Sequence, residues 1–352
     1  MEKQPIDPSA EGSPGPLNAL EDVPGLGIGH AHDSGVKTGV SVVLTAQPMV
    51  CAVDVRGGGP GTRETDLLDP AALVQTVDAV VLAGGSTYGL AAADAVAAHL
   101  GAAGRGFALI DRPGVPRSPI VPAAILYDLA NGGAKDWGTK PPYGDLGVAA
   151  YEAAHRSLTA GPSPTLLGAV GAGFGARAGQ VAGGLGSVSA HLGGGHRVGA
   201  LMAVNSFGSV FIPGTQQFWA APFAQGNELG DPLGAGADLM PGRATTPVGG
   251  MPPDTKLGAP SAAPRTNTTI GVVATSVPLT QADAKRVAIM AQDGLARAIR
   301  PVHAPTDGDV LFVLAPTATT SANPLTLTRL GTIGADCVAR AIARGVYAAN
   351  RA

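Results

Sequence analysis

Asn267-Thr268-Thr269 stands where a Pro/Gly-rich run meets a β-branched segment, Thr269-Ile270-Gly271-Val272-Val273-Ala274-Thr275. Inside a chain, a threonine hydroxyl has no base beside it and is a weak nucleophile. If the peptide bond before Thr268 is cut, the residue gains a free α-amino group of pKa about 7.7–8.0 next to its own hydroxyl. Nucleophile and general base then share one residue. Asn267 and Thr268 are therefore a candidate processing site, with Thr268 the candidate nucleophile. The same three residues also fit a strand-opening Thr pair or, in a secreted chain, an Asn-x-Thr glycosylation acceptor.

Two carboxylates separated by one residue, in Thr306-Asp307-Gly308-Asp309, precede an apolar segment. On an extended backbone Asp307 and Asp309 can face the same side, where they could orient an ammonium or polarise a hydroxyl. Asp and Gly at this spacing equally fit a turn. No His/Cys cluster at ligand spacing accompanies them, so no metal is expected. Asn205 ends another apolar segment, where its amide could donate to an oxyanion or simply form an Asx turn. Gly84-Gly85-Ser86-Thr87-Tyr88-Gly89 joins a strand-like run to a helix-like one, so backbone N–H groups at Gly84, Gly85 and Ser86 could face an anion. It lacks the Gly-x-Ser-x-Gly spacing of a nucleophile elbow. Gly171-Ala172-Gly173-Phe174-Gly175-Ala176 formally satisfies Gly-x-Gly-x-x-Ala, but more glycines follow where a dinucleotide site needs a helix. His30, His32, His191 and His196 are scattered and receive no role.

These residues need elements to hold them. The 352 residues are 45% hydrophobic, 14% charged and 4% aromatic, with 52 Gly and 30 Pro. That balance supports a substantial core of strands and small-residue helices with many tight turns. A formal net charge of -3 with no basic run argues against nucleic acid or an anionic membrane as the main partner, leaving a small molecule. Cys51 and Cys337 lie in apolar segments and read as core thiols. No segment offers about twenty uninterrupted apolar residues, so no membrane span and a cytoplasmic location are expected.

Residues 1–22 read as a flexible leader. Short apolar runs predict strands at 40–45, 52–55, 79–83, 166–170, 200–204 and 209–212. Ser86 could cap a helix running to about residue 100, and another is expected over 146–157. Periodicity collapses over 226–266, which reads as an exposed loop. Order returns with a strand at 269–275, a helix over 280–300, a strand at 310–314 and a helix over 325–349. A strand that starts at the candidate nucleophile gives it a rigid mount.

Taken together the segments resemble the L-aminopeptidase/D-esterase family, which includes the β-aminopeptidases and, in a threonine-bearing branch, the nylon-oligomer (6-aminohexanoate oligomer) hydrolases. The matching blocks are Val53-Asp54-Val55-Arg56-Gly57-Gly58, Leu82 through Leu90, Tyr127-Asp128, Gly183-Gly184-Leu185-Gly186, Val204-Asn205, Asn267-Thr268-Thr269-Ile270 and Asp307-Gly308-Asp309. The resemblance implies a four-layer α-β-β-α sandwich of the N-terminal-nucleophile-hydrolase kind. One domain over 23–352 would cut itself into 23–267, carrying the leader, and 268–352. It also implies hydrolysis of amide bonds in small peptides, β-peptides or 6-aminohexanoate oligomers through an acyl-enzyme on Thr268, without a cofactor, in a homo-oligomer, commonly a tetramer. By that analogy Asp307 and Asp309 orient the Thr268 amine and hydroxyl, and Asn205 donates to the oxyanion. Tyr127 positions substrate or leaving group, and the Gly84-Gly85-Ser86 turn, from its own amides, is counted among the substrate-binding residues. One position departs: Gln180 stands where the nylon-oligomer hydrolase carries a lysine, and glutamine cannot carry charge. Acyl transfer of the ornithine acetyltransferase type, or a catalytically degenerate binding homologue, are the alternative readings.

Overall fold

Aliphatic and β-branched residues dominate positions 26–55, and they form an antiparallel pair, β1 (Leu26–Asp33) with the first half of β2 (Thr38–Val55). The computed structural model describes residues 11–161, 163, 166–230, 254–258 and 267–351. β2 is one strand where the sequence suggested two. Its exposed Ala46-Gln47-Pro48 step joins them, since Pro48 has no N–H to give. The short strand β3 (Thr62–Arg63) lies at one edge of the sheet. Pairing of β2 with β4 (Thr76–Ala83) shifts register between Leu44 and Met49. Such an irregularity bends a strand, and here it sends the two halves of β2 into different layers.

The remaining elements are α1 (Ala91–Ala102), β5 (Ala123–Ile125), α2 (Tyr143–Ala160), β6 (Arg177–Ala178), β7 (Val181–Ala182), β8 (Gly184–Gly193), β9 (His196–Asn205), β10 (Thr268–Thr275), α3 (Gln281–Ala291), α4 (Asp293–Ala298), β11 (Val310–Ala315) and α5 (Pro324–Ala349). The large sheet runs β3-β5-β4-β2-β11-β10-β9-β8, with β1 on β2 and a separate β6–β7 pair. Period-two alternation sorts its side chains. Val40, Val42 and Leu44 pack with Ala92, Val96 and Ala150 on the α1/α2 side. Val188, Met202, Val273 and Val313 pack with Val287, Val338 and Ile342 on the α3/α5 side. Between them Val43, Val80 and Leu82 of one layer meet Leu201, Ile270, Val272 and Phe312 of the other. Helices, sheet, sheet and helices therefore succeed one another, as the resemblance implied.

Several local expectations change. The run after Gly85 opens as a 3-10 turn over Ser86–Leu90 before α1 begins. The helix expected over 280–300 is split at Gln292 into α3 and α4. The segments 166–170 and 209–212 form only isolated bridges, Gly168 with Leu185, Ser209 with Arg300 and Phe211 with Phe218. Residues 11–22, expected within a flexible leader, are strapped to the body. Leu20 is fully buried, Ser189 Oγ donates to Asp22 at 2.6 Å, and Arg340 donates to Asn18 at 3.0 Å. Residues 1–10 lie outside the described residues.

Candidate active site

Strand pairing assembles the site before any side chain does. β10 runs antiparallel to β9 with Thr268 directly opposite Asn205, and parallel to β11 with Ile270 beside Val310. The parallel register brings the starts of β10 and β11 together, so the Asp307-Gly308-Asp309 turn lies against Thr268 and Thr269. Gly308 N–H donates to Thr268 Oγ1 at 3.0 Å, and Thr269 N–H donates to Asp309 Oδ1 at 2.7 Å. A side chain on Gly308 would put its Cβ 2.7 Å from the Thr268 hydroxyl, which is why only glycine fits there. The Arg56-Gly57-Gly58-Gly59 loop braces the turn from outside. Arg56 and Gly57 donate to the Asp309 carbonyl at 3.0 and 3.3 Å, and Gly59 donates to the Asp307 carbonyl at 2.7 Å.

Thr268 is 3% exposed and its φ is 146°. Positive φ in a β-branched residue is an outlier that costs on the order of 1–3 kcal/mol and persists only where the surroundings impose it. The strain sits on the backbone that carries the Asn267–Thr268 peptide. Asn267 itself is buried, and its Nδ2 donates to Thr306 Oγ1 at 2.9 Å.

The two aspartates have different partners. Asp307 accepts from Ala304 N–H at 3.0 Å and Phe207 N–H at 3.3 Å. Burial, and then the charge of Asp309, push its carboxyl up to about 7, against the pull of those amides and of Lys256. Asp309 Oδ2 accepts from the His303 backbone at 3.2 Å and lies 2.8 Å from His303 Nδ1. His303 stands in a Pro-flanked turn at φ 55°, with no periodicity to mark it as a partner of Asp309.

On the opposite side, Asn205 Oδ1 accepts from Arg177 N–H at 2.9 Å and from Lys256 Nζ at 3.2 Å, while its Nδ2 donates to the Tyr127 carbonyl at 2.9 Å. Tyr127 thus reaches Asn205 through its backbone. Lys256 also donates to the Asn205 carbonyl at 3.2 Å. Only 4% exposed, Lys256 belongs to the 226–266 stretch that the sequence presents as an exposed loop. Within that stretch Leu229, Thr255 and Lys256 are buried, while residues 231–253 and 259–266 lie outside the described residues. Burial pulls the Lys256 ammonium down to about 7, with Asp307 opposing and Arg177 reinforcing the fall. Gln180 reaches the segment that carries Lys256. Its Nε2 donates at 3.4 Å to the carbonyl of Thr255, next to Lys256, so it braces the segment that delivers the cation.

The Gly84-Gly85-Ser86 turn is farther back. Gly84 N–H donates to the Gly39 carbonyl, Gly85 N–H to Asp128 Oδ1 at 2.7 Å and Ser86 N–H to the Leu126 carbonyl, so all three amides are engaged by groups of the chain itself. A cavity of about 40 Å³, lined by Tyr127, Asp128, Asn131, Arg177, Asn205 and Lys256 among others, opens from this centre.

Chemically, the centre holds a hydroxyl on a strained backbone, two buried aspartates and a buried cation beside an oriented amide. The sequence profile of peptidase family S58 matches residues 18–352. The chain is 42% identical over 355 residues to an uncharacterised aminopeptidase of Mycobacterium leprae, covering 95% of this chain and 91% of that one. It is 28% identical over 311 residues to the 6-aminohexanoate-oligomer endohydrolase of Kocuria sp. strain KY2, covering 83% and 73%. The solved structure of the L-aminopeptidase D-Ala-esterase/amidase from Ochrobactrum anthropi, described as a variant of the Ntn hydrolase fold, matches with a TM-score of 0.62 at 21% identity, covering 96% and 87%. The mixed α/β fold is of that Ntn-hydrolase kind.

Proposed function

Because the chain belongs to peptidase family S58 and is a hydrolase acting on amide bonds, we propose that it cuts itself between Asn267 and Thr268 and then works as an N-terminal-threonine amidohydrolase. The observation that carries this reading is the strained Thr268, its hydroxyl held by Gly308 N–H at the mouth of β10. In maturation, Thr268 Oγ1 attacks the Asn267 carbonyl carbon, the Asn267–Thr268 C–N bond breaks, and the hydroxyl proton ends on the freed Thr268 nitrogen as the amide becomes an ester. Water then releases the Asn267 carboxylate. The bond from Gly308 occupies a lone pair of the hydroxyl and leaves its proton to be given up. Relief of strain at Thr268 favours the forward step.

After the cut the new α-amine, with a pKa of about 7.7–8.0, takes the hydroxyl proton as Thr268 attacks a substrate amide. Asp309 and Asp307 hold the ammonium that forms. The buried charge on Lys256, acting beside Asn205, favours the developing oxyanion. An acyl-enzyme forms, the amine product leaves, and water completes hydrolysis. Small peptides, β-peptides and 6-aminohexanoate oligomers are the substrate classes we assign.

Intact mass of the purified protein tests the first half and amide turnover the second. Two fragments parting at Thr268, with release of amine from such substrates, are expected. A chain that stays whole on prolonged incubation would count against the reading.

A further inference from the structure

Arg177 faces two ways. Its backbone N–H holds Asn205 Oδ1, opposite Thr268, while the residue also lines an open basin of about 260 Å³ on the outer surface. The basin shares Asn131, Gly175 and Arg177 with the small cavity that reaches Asn205 and Lys256, so the two lie side by side. Its rim is built. Asn131 Nδ2 donates to the carbonyls of Lys37, at 2.6 Å, and Gly175, at 3.1 Å, tying the Lys37 turn to the segment that carries Arg177. Phe174, stacked on His32 with ring centroids 4.3 Å apart, forms an apolar wall.

The charge lining this pair of cavities is one-sided. Among the described residues, their charged lining consists of Lys37, Arg177 and Lys256 against Asp128 alone. Asp128 is already spent internally, accepting from Thr38 Oγ1 and Gly85 N–H, each at 2.7 Å. Nearby Asp33 is likewise held in its own turn by the amides of Gly35 and Val36, each at 2.8 Å. Neither Lys37 nor Arg177 forms an ion pair among the described residues. Arg177 gives one N–H to the Gln180 carbonyl at 2.7 Å and keeps further donors in its planar fork, which suits a carboxylate.

We infer that the basin is a subsite for a carboxylate that the amide substrate carries on a short aliphatic arm, held between Lys37 and Arg177 with Phe174 against the arm. The inference rests on the amidohydrolase reading for its substrate but can be measured without turnover. The substrate class narrows to amides bearing a free acid, and the neutral carboxamide of the same compound becomes the poorer ligand.

Calorimetric binding of 6-acetamidohexanoate and 6-acetamidohexanamide to the full-length Thr268→Ala protein tests it. The acid is expected to bind about tenfold more tightly at low salt, because its carboxylate accepts charge-assisted hydrogen bonds that the carboxamide cannot. The preference should shrink at about 1 M salt, where the screening length is about 3 Å. Lys37→Gln should reduce the preference and Lys37→Gln/Arg177→Gln should abolish it, with thermal unfolding confirming that both variants are folded. Equal binding of acid and amide, binding of neither, or a preference that survives the double substitution would overturn the subsite. A preference for the acid in a wild-type protein that hydrolyses no amide would support the subsite while sinking the catalytic reading.

Discussion

Thr268 faces Asn205, residue against residue, across the antiparallel pairing of β10 and β9. The position of the candidate nucleophile is therefore set by backbone hydrogen bonds, and that of its amide neighbour by Arg177 N–H and Lys256 Nζ. Residues held by a sheet are more accurately placed than residues held by a loop. Each further expectation tests one partner in this arrangement.

Thr268→Ala and Thr268→Gly should both remain single chains, with turnover at least about a thousandfold down because the nucleophile is gone. Their stabilities should differ. Glycine accepts the φ of 146° that alanine resists, so the Gly variant should be the more stable by about 1 kcal/mol. Thermal unfolding of the two uncut proteins measures this, and a more stable Ala variant would mean that the site stores no strain.

Asp309→Ala removes the acceptor of Thr269 N–H and the partner of His303. Processing and turnover should fall by about a hundredfold or more, while stability falls by only about 1–3 kcal/mol. His303→Ala should have the smaller effect, about tenfold. Time courses of fragment appearance by mass spectrometry check both. Unchanged rates in Asp309→Ala would reduce the carboxylate to a turn former.

Lys256→Met keeps the length of the side chain and removes its charge. Processing should slow by about a hundredfold if the cation favours the oxyanion. Lys256→Met/Gln180→Lys should recover part of that loss, because Gln180 already reaches the carbonyl next to Lys256. Rates in the single and double variants decide the matter: no loss in Lys256→Met would make the lysine a packing residue only.

The two buried groups give opposite pH dependences of stability, best read in the uncut Thr268→Ala protein. Asp307 is raised to about 7 by burial and Asp309, so between about pH 4 and 7 the folded chain binds a proton the unfolded chain has lost. Its contribution to stability is full at low pH and is lost as pH rises through about 7. Lys256 is lowered to about 7 by burial, so between about pH 7 and 10 the unfolded chain binds the extra proton and stability rises with pH. Asp307→Asn should flatten the first limb and Lys256→Met the second, in melting temperatures taken across the range. Parallel profiles for parent and variants would contradict both shifts.

Much of the centre was legible as pattern. A β-branched run beginning at Thr268, an apolar run ending at Asn205 and a carboxylate pair opening the strand at 310–314 mark strand ends, and strand ends are where a layered fold presents side chains. The buried thiols of Cys51 and Cys337 were equally plain from their apolar surroundings. The helix expected over 325–349 likewise matches α5, Pro324–Ala349.

Lys256 and His303 were not legible, for one physical reason. Each sits in a Pro/Gly-rich segment without periodicity, where nothing local distinguishes a solvated side chain from one driven into the core. Burial of Lys256 depends on Asn205, Asp307 and Gln180, which come from three other parts of the chain. The basin beside Arg177 depends likewise on Lys37 and Asn131 meeting a distant turn. By itself the sequence determined which residues could do the chemistry and which strands would carry them, because residue type and period act locally. Only the tertiary structure decided which charges surround Thr268 and at what protonation, because register, burial and Coulombic coupling exist only once distant segments are packed.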